Sequence, residues 1–101
     1  MMTDDAMKRM RAFLLESIAY ARYRADGTYY RADIESRGEM TDGRVYVTFI
    51  IDYENVGSAT VTEVQLFDKY GTLWAGKKEN IAREAAKDGL PYRFMFTVIE
   101  V

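Results

Sequence analysis

Apolar residues recur at two different spacings along this chain. From Met7 to Ala21 they fall every three or four positions, at Met7, Met10, Leu14, Ile18 and Ala21, which is a stripe along one face of a helix. Thr3 stands where an N-cap belongs, and Asp4 and Asp5 follow in the first turn, where the helix dipole favours negative charge. Phe13 widens the stripe, while Lys8, Arg9 and Arg11 mark the wet side. The pattern predicts a helix over residues 1–19 whose apolar face must be covered by the domain's own sheet or by a partner.

Beyond residue 20 the spacing changes to two. Tyr20 to Arg24 reads as a short strand, Asp26-Gly27 as a hairpin turn and Thr28 to Ile34 as the returning strand. A loop around Gly38 and a second Asp-Gly turn at Asp42-Gly43 follow. Arg44 to Tyr53 is the strongest strand, with Val45, Val47, Phe49 and Ile51 on one face. Glu54 to Ala59 reads as a loop, Thr60 to Asp68 as the next strand, and Leu73-Trp74-Ala75 as its partner beyond a turn at Lys69-Tyr70-Gly71. Val64 and Leu66 alternate with Glu63 and Gln65, which places the two polar residues toward solvent. Tyr92 to Val101 is apolar on both faces, as a strand buried between layers would be, and Pro91 stands at its start, where proline is tolerated. Residues 77–90 read two ways. Glu79 to Lys87 has helix formers with Asn80 as a cap and Gly89 as a stop, and the same stretch can be an extended arm that turns at Lys87-Asp88-Gly89 and pairs with Tyr92 onward.

These elements predict a mainly β (α+β) single domain over 1–101, with the helix in 1–19 and a β domain in 20–101. The architecture is an antiparallel β-sandwich or partly open barrel of about six strands with one N-terminal helix. The core should contain Val45, Val47, Phe49, Ile51, Val64, Leu66, Phe94, Phe96 and Val98.

Composition narrows the chemistry. The chain has no Cys and no His, so disulfides, thiolate nucleophiles, cysteine zinc sites and serine–histidine triads are excluded. The net charge of −2 argues against a general nucleic-acid binder. The acidic start is not a signal peptide, and Val45 to Ile51 is too short to span a bilayer. A soluble cytoplasmic protein, not secreted by a signal peptide and without a membrane partner, is expected.

Three constellations stand out. Tyr20 to Arg31 interleaves Tyr20, Tyr23, Tyr29 and Tyr30 with Arg22, Arg24 and Arg31, the mixture that stacks bases and neutralises phosphates in single-stranded nucleic-acid binders. An amphipathic hairpin with tyrosines inward, or an aromatic–arginine protein interface, explains the same pattern and suits the acidic balance better. Asp52, Glu54 and Asp68 flank loops but lack calcium-loop spacing. Glu63 and Glu79 form no recognisable catalytic pair. No metal, nucleotide or covalent cofactor is expected, and no enzyme.

The order of parts carries a resemblance. A short helix, "YARYRADGTYYRADIES", "DGRVYVTFIID", "VTEVQLFDKYGTLWA" and a closing "YRFMFTVIE" together look like small proteins encoded in prophage tail modules of gut and other Gram-positive bacteria. "VTEVQLFDKYGTLWA" is similar to a segment in the N-terminal domain of phage tail-collar and tail-fibre proteins, a strand ending in Leu-Phe, a Gly turn and an apolar strand. The resemblance implies a non-enzymatic tail or baseplate subunit that forms homo-oligomers, binds other tail proteins and ends in the virion. A fibre would continue past Val101 into a shaft, so a stand-alone component is expected. The candidate interface is Met7, Met10, Leu14, Ile18, Tyr23, Arg24, Tyr29, Tyr30 and Trp74. "FIIDYENVGSATVTEVQLFD" is similar to bacterial immunoglobulin-like modules, which implies the alternative of a protein- or carbohydrate-binding module.

Overall fold

Helix α1 (Asp4–Ser17) leads into six strands: β1 (Tyr20–Ala25), β2 (Thr28–Glu39), β3 (Val45–Ile51), β4 (Thr60–Phe67), β5 (Leu73–Ala82) and β6 (Leu90–Phe96). The computed structural model describes residues 1–52, 60–82 and 89–99. Every pairing is antiparallel, and the strands form one sheet in the order β5-β4-β1-β2-β3-β6. The sheet curls into a half-barrel around one apolar core to which all six strands contribute.

The period-two pattern decides the faces. Ala21 and Tyr23 on β1 register with Leu66 and Val64 on β4, and Val47 and Phe49 on β3 with Phe94 and Tyr92 on β6. These positions point into the curl, and Tyr23, Phe49, Val64 and Leu66 are fully buried. The β1–β2 hairpin closes through Asp26 at φ 53° and Gly27 at φ 78°, the left-handed pair that a two-residue turn between twisted strands requires.

Strand β2 is twelve residues long, with no loop at Gly38. Its first half pairs with β1 and its second half with β3, with a bulge between Ile34 and Ser36. The bulge reverses the alternation. Ile34 faces the core opposite Phe49, yet past the bulge Arg37 and Glu39 take the inward positions opposite Val47 and Val45. Both point to the end of the half-barrel where α1 sits. The Arg37 guanidinium donates to the carbonyls of Leu15 and of Ile18, the latter at 2.7 Å, and Glu39 pairs with Arg11 at 2.9 Å. The last turn of α1 carries no basic residue of its own, so β2 supplies the cation that the helix C-terminus favours.

Thr3 caps α1 as expected, its Oγ1 accepting from the Ala6 N–H at 3.1 Å. The buried stripe differs from the expected one. Ile18 is buried and Leu15 packs on the core, Met7, Arg11 and Leu14 are half-buried, and Met10 is exposed. Arg11 is therefore not on the wet side. Its guanidinium reaches Glu39 at the rim, a partner that the helical period alone does not reveal.

Three other points are decided by the structure. Of the two readings of 77–90, the described residues 79–82 are extended and not helical, because β5 continues along β4 with Glu63 opposite Lys78 and Val61 opposite Ile81. The described part of that arm, residues 77–82, pairs with β4 and not with the last strand, since β5 and β6 occupy opposite edges of the sheet. The last strand is an edge strand, Leu90–Phe96, with Pro91, Arg93 and Met95 exposed, and Phe96 and Val98 only half-buried. The expected loop at 54–59 and the turn at 87–88 lie outside the described residues.

The two edges approach each other across the open side. Burial, then the neighbouring Glu79 charge and hydrogen bonding to it, push the Tyr92 hydroxyl up to about 12. Glu79 on β5 and Tyr92 on β6 thus meet without a backbone ladder between their strands. Both edges are blunted against further pairing, β5 by Lys77, Lys78 and Glu79, and β6 by Pro91 and Arg93.

Candidate functional site: two aromatic surfaces

The tyrosine–arginine hairpin divides by strand parity. Tyr23 and Tyr30 face inward, their rings stacked at 5.6 Å, and the Tyr23 hydroxyl accepts the Asp52 N–H at 3.3 Å. Asp52 follows β3 where that strand has left β2, so a side chain from β1 satisfies a donor that the β2 ladder no longer reaches. Tyr20 and Tyr29 face outward among the arginines. The convex surface carries a continuous ladder. Arg31 lies over Tyr20 at 4.1 Å, Tyr20 stacks on Phe67 at 5.2 Å, and Arg22 lies over both Phe67 at 4.8 Å and Tyr29 at 4.1 Å. Arg24 is 5.5 Å from the Tyr29 ring.

Polar partners complete this ladder. Arg22 Nε donates to Gln65 Oε1 at 2.9 Å, and the Tyr29 hydroxyl donates to Glu63 Oε1 at 2.7 Å. That bond to Glu63 raises the Tyr29 hydroxyl above its ordinary value. Glu63 and Gln65 do lie on the outer face, but Gln65 is covered by the arginine. Guanidinium groups lie over the Tyr20 and Tyr29 rings where a base would stack, and that of Arg22 is bonded to Gln65 instead of projecting toward a phosphate backbone.

The second surface is at the α1 end. The β4–β5 turn is organised by Asp68, whose Oδ1 accepts the N–H groups of Tyr70 and Thr72, both at 2.9 Å, and whose Oδ2 accepts Trp74 Nε1 at 3.0 Å. The bond from Trp74, and then that from Thr72, hold this carboxyl below its usual range. Gly71, at φ 82°, permits the turn. The indole is thereby pinned, with its N–H satisfied within the chain and its ring beside Phe13 at 6.1 Å between centroids. Phe13, Glu16, Tyr70 and Trp74 wall an open groove of about 500 Å³ between the end of α1 and the turn. Phe13 is 61% exposed and Tyr70 81%.

Acidification tests this arrangement. Because the Asp68 carboxylate is favoured in the folded state, its contribution is present above the ordinary aspartate range and is lost as pH falls through its lowered value. Trp74 is the only tryptophan. Its emission should change with a midpoint below the usual aspartate range, and Asp68→Asn should abolish that step. An unchanged step in the variant would show that another group controls the indole.

Of the residues expected at an interface, Met10, Arg24, Tyr29 and Trp74 are exposed, and Met7, Leu14 and Tyr30 are half-buried. Tyr23 and Ile18 belong to the core and are closed to any partner. Phe13 and Tyr70 were missed. Phe13 reads as stripe and Tyr70 as turn, and only the docking of α1 beside the β4–β5 turn brings them together. Asp52 and Asp68 follow strand ends at opposite ends of the half-barrel, so they cannot share an ion, and Glu54 lies outside the described residues. Among the described residues no helix is long and apolar enough to cross a membrane, and no cluster of three acidic side chains is placed to hold a metal. Comparisons with protein families, curated proteins and solved structures find no match.

Proposed function

We propose that this protein is a non-enzymatic assembly subunit that works by docking to copies of itself and to other proteins, as a component of a phage or prophage tail. The observation that carries the docking reading is the exposed aromatic groove of Phe13, Tyr70 and Trp74 at the α1 end. An exposed cluster of large aromatic side chains around a pinned indole is the composition of an interface core, where aromatic residues are enriched. The blunted sheet edges direct association to this surface, because they oppose strand-to-strand pairing. The tail assignment rests on the resemblance of Val61–Ala75 to the tail-collar segment.

The alternative of an immunoglobulin-like binding module fits less well. In this fold β2 joins both halves into one continuous sheet, whereas that module has two separate sheets. Single-stranded nucleic-acid binding is disfavoured by the covered ring faces of the convex ladder.

Sedimentation velocity over a wide concentration range tests the docking reading. The parent chain should associate, and Trp74→Ala should weaken association while leaving the circular dichroism spectrum unchanged. A parent that stays monomeric at high concentration, alone and with tail proteins encoded beside it, would overturn the proposal.

A further inference from the structure

We propose that the exposed face of α1 packs antiparallel against the same face of a second copy, about a two-fold axis near Phe13, so that Arg9 of each copy meets the partner's Glu16. This inference rests on the assembly reading and names the geometry of self-association.

Arg9, Ala12, Phe13 and Glu16 share one side of α1, spaced three and four residues apart, and all four are exposed. Phe13 makes the apolar centre of this face, and Ala12 beside it is small enough for a neighbouring helix to approach closely. Charge changes sign across that centre. Arg9 precedes it and Glu16 follows it, roughly 10 Å apart along the axis, too far for a pair within one copy. Among the described residues neither takes part in an ion pair.

A parallel arrangement would set Arg9 against the partner's Arg9 and Glu16 against the partner's Glu16. The antiparallel one pairs opposite charges twice, which is the self-complementarity a two-fold interface requires. It also carries the partner's first turn, with its Asp4 and Asp5, toward the aromatic groove, where Lys69 is the cation on the rim.

Charge exchange tests the register. Arg9→Glu and Glu16→Arg should each weaken self-association about tenfold, because each turns two attractive contacts into repulsive ones. The double variant should return to within a few-fold of the parent, a recovery that a merely structural role would not produce. The chain has no cysteine, so Ala12→Cys gives a second reading. Under mild oxidation it should form a disulfide-linked dimer efficiently, and Lys8→Cys, away from the axis, should not. If the parent associates but the double variant is not rescued and Ala12→Cys does not cross-link, this face is excluded and the assembly reading survives through another surface. A strictly monomeric parent would overturn both.

Discussion

Phe49→Ala should lower the free energy of unfolding by about 3–5 kcal/mol, the usual cost of deleting a fully buried aromatic side chain and leaving its cavity. Phe49 has no exposed surface and sits where the two halves of the sheet meet. Its ring lies 5.5 Å from Tyr92, 6.4 Å from Phe94 and 6.5 Å from Tyr23. These neighbours come from β6 and β1, on different sides of the curl, so they cannot all collapse into one cavity. At about 4–8 °C per kcal/mol for a domain of this size, the thermal midpoint should fall by more than about 12 °C. Met95→Ala, on the outward face of β6, should change stability by less than about 0.5 kcal/mol. Denaturant unfolding of both variants is the measurement, and a cost below about 1 kcal/mol at Phe49 would show that the core is centred elsewhere.

Arg37→Ala should cost about 2 kcal/mol and act on the helix before the sheet. The side chain makes two charge-assisted hydrogen bonds to carbonyls at the end of α1, each of a kind worth about 1.5–3 kcal/mol when protected from water and less at this partly open position. No other basic residue lies in the last turn to replace it. Helical ellipticity should therefore melt at a lower temperature than the near-ultraviolet signal of the core tyrosines, where the parent melts as one. Both bonds leave from one guanidinium nitrogen, Nη1, so Arg37→Lys, whose ammonium carries three donors, should restore much of the difference. Coincident melting of both signals in Arg37→Ala would refute the assigned role.

The inner faces of β1, of β3 and of β4 from Val64 to Leu66 were legible because an unbroken period of two determines them. Val45, Val47, Phe49 and Ile51 alternate without interruption, and all four are buried. The Asp26-Gly27 turn was equally legible, since few sequences adopt its backbone. Arg37 was illegible. Extending the alternation of Tyr30, Ala32 and Ile34 sends Arg37 outward, and the bulge that turns it toward α1 leaves no compositional mark. Residues 79–82 were open between helix and extended chain for a different reason. Their local propensity is helical, and pairing along β4 overrides it. Of the candidate site, Trp74 was legible as an unusual residue on a strand, while its neighbours Phe13 and Tyr70 come from segments far apart in the chain. The hairpin's division into inward Tyr23 and Tyr30 and outward Tyr20 and Tyr29 follows from parity, but the ladder with Phe67 requires the pairing of β1 with β4.

That pairing also matters while the chain is being made. β1 sits between β2 and β4, and Ala21 waits for Leu66, roughly 45 residues later, before its second edge is covered; at typical synthesis speeds this is about 2–9 s. During those seconds the nascent chain holds a hairpin with an unpaired backbone edge on β1 and an uncovered apolar face of Ala21, Tyr23 and Ala25, an invitation to wrong partners. Arg22 and Arg24 alternate with that apolar row and serve as gatekeepers until β4 arrives, the same guanidinium groups that later lie against Tyr29 and Phe67.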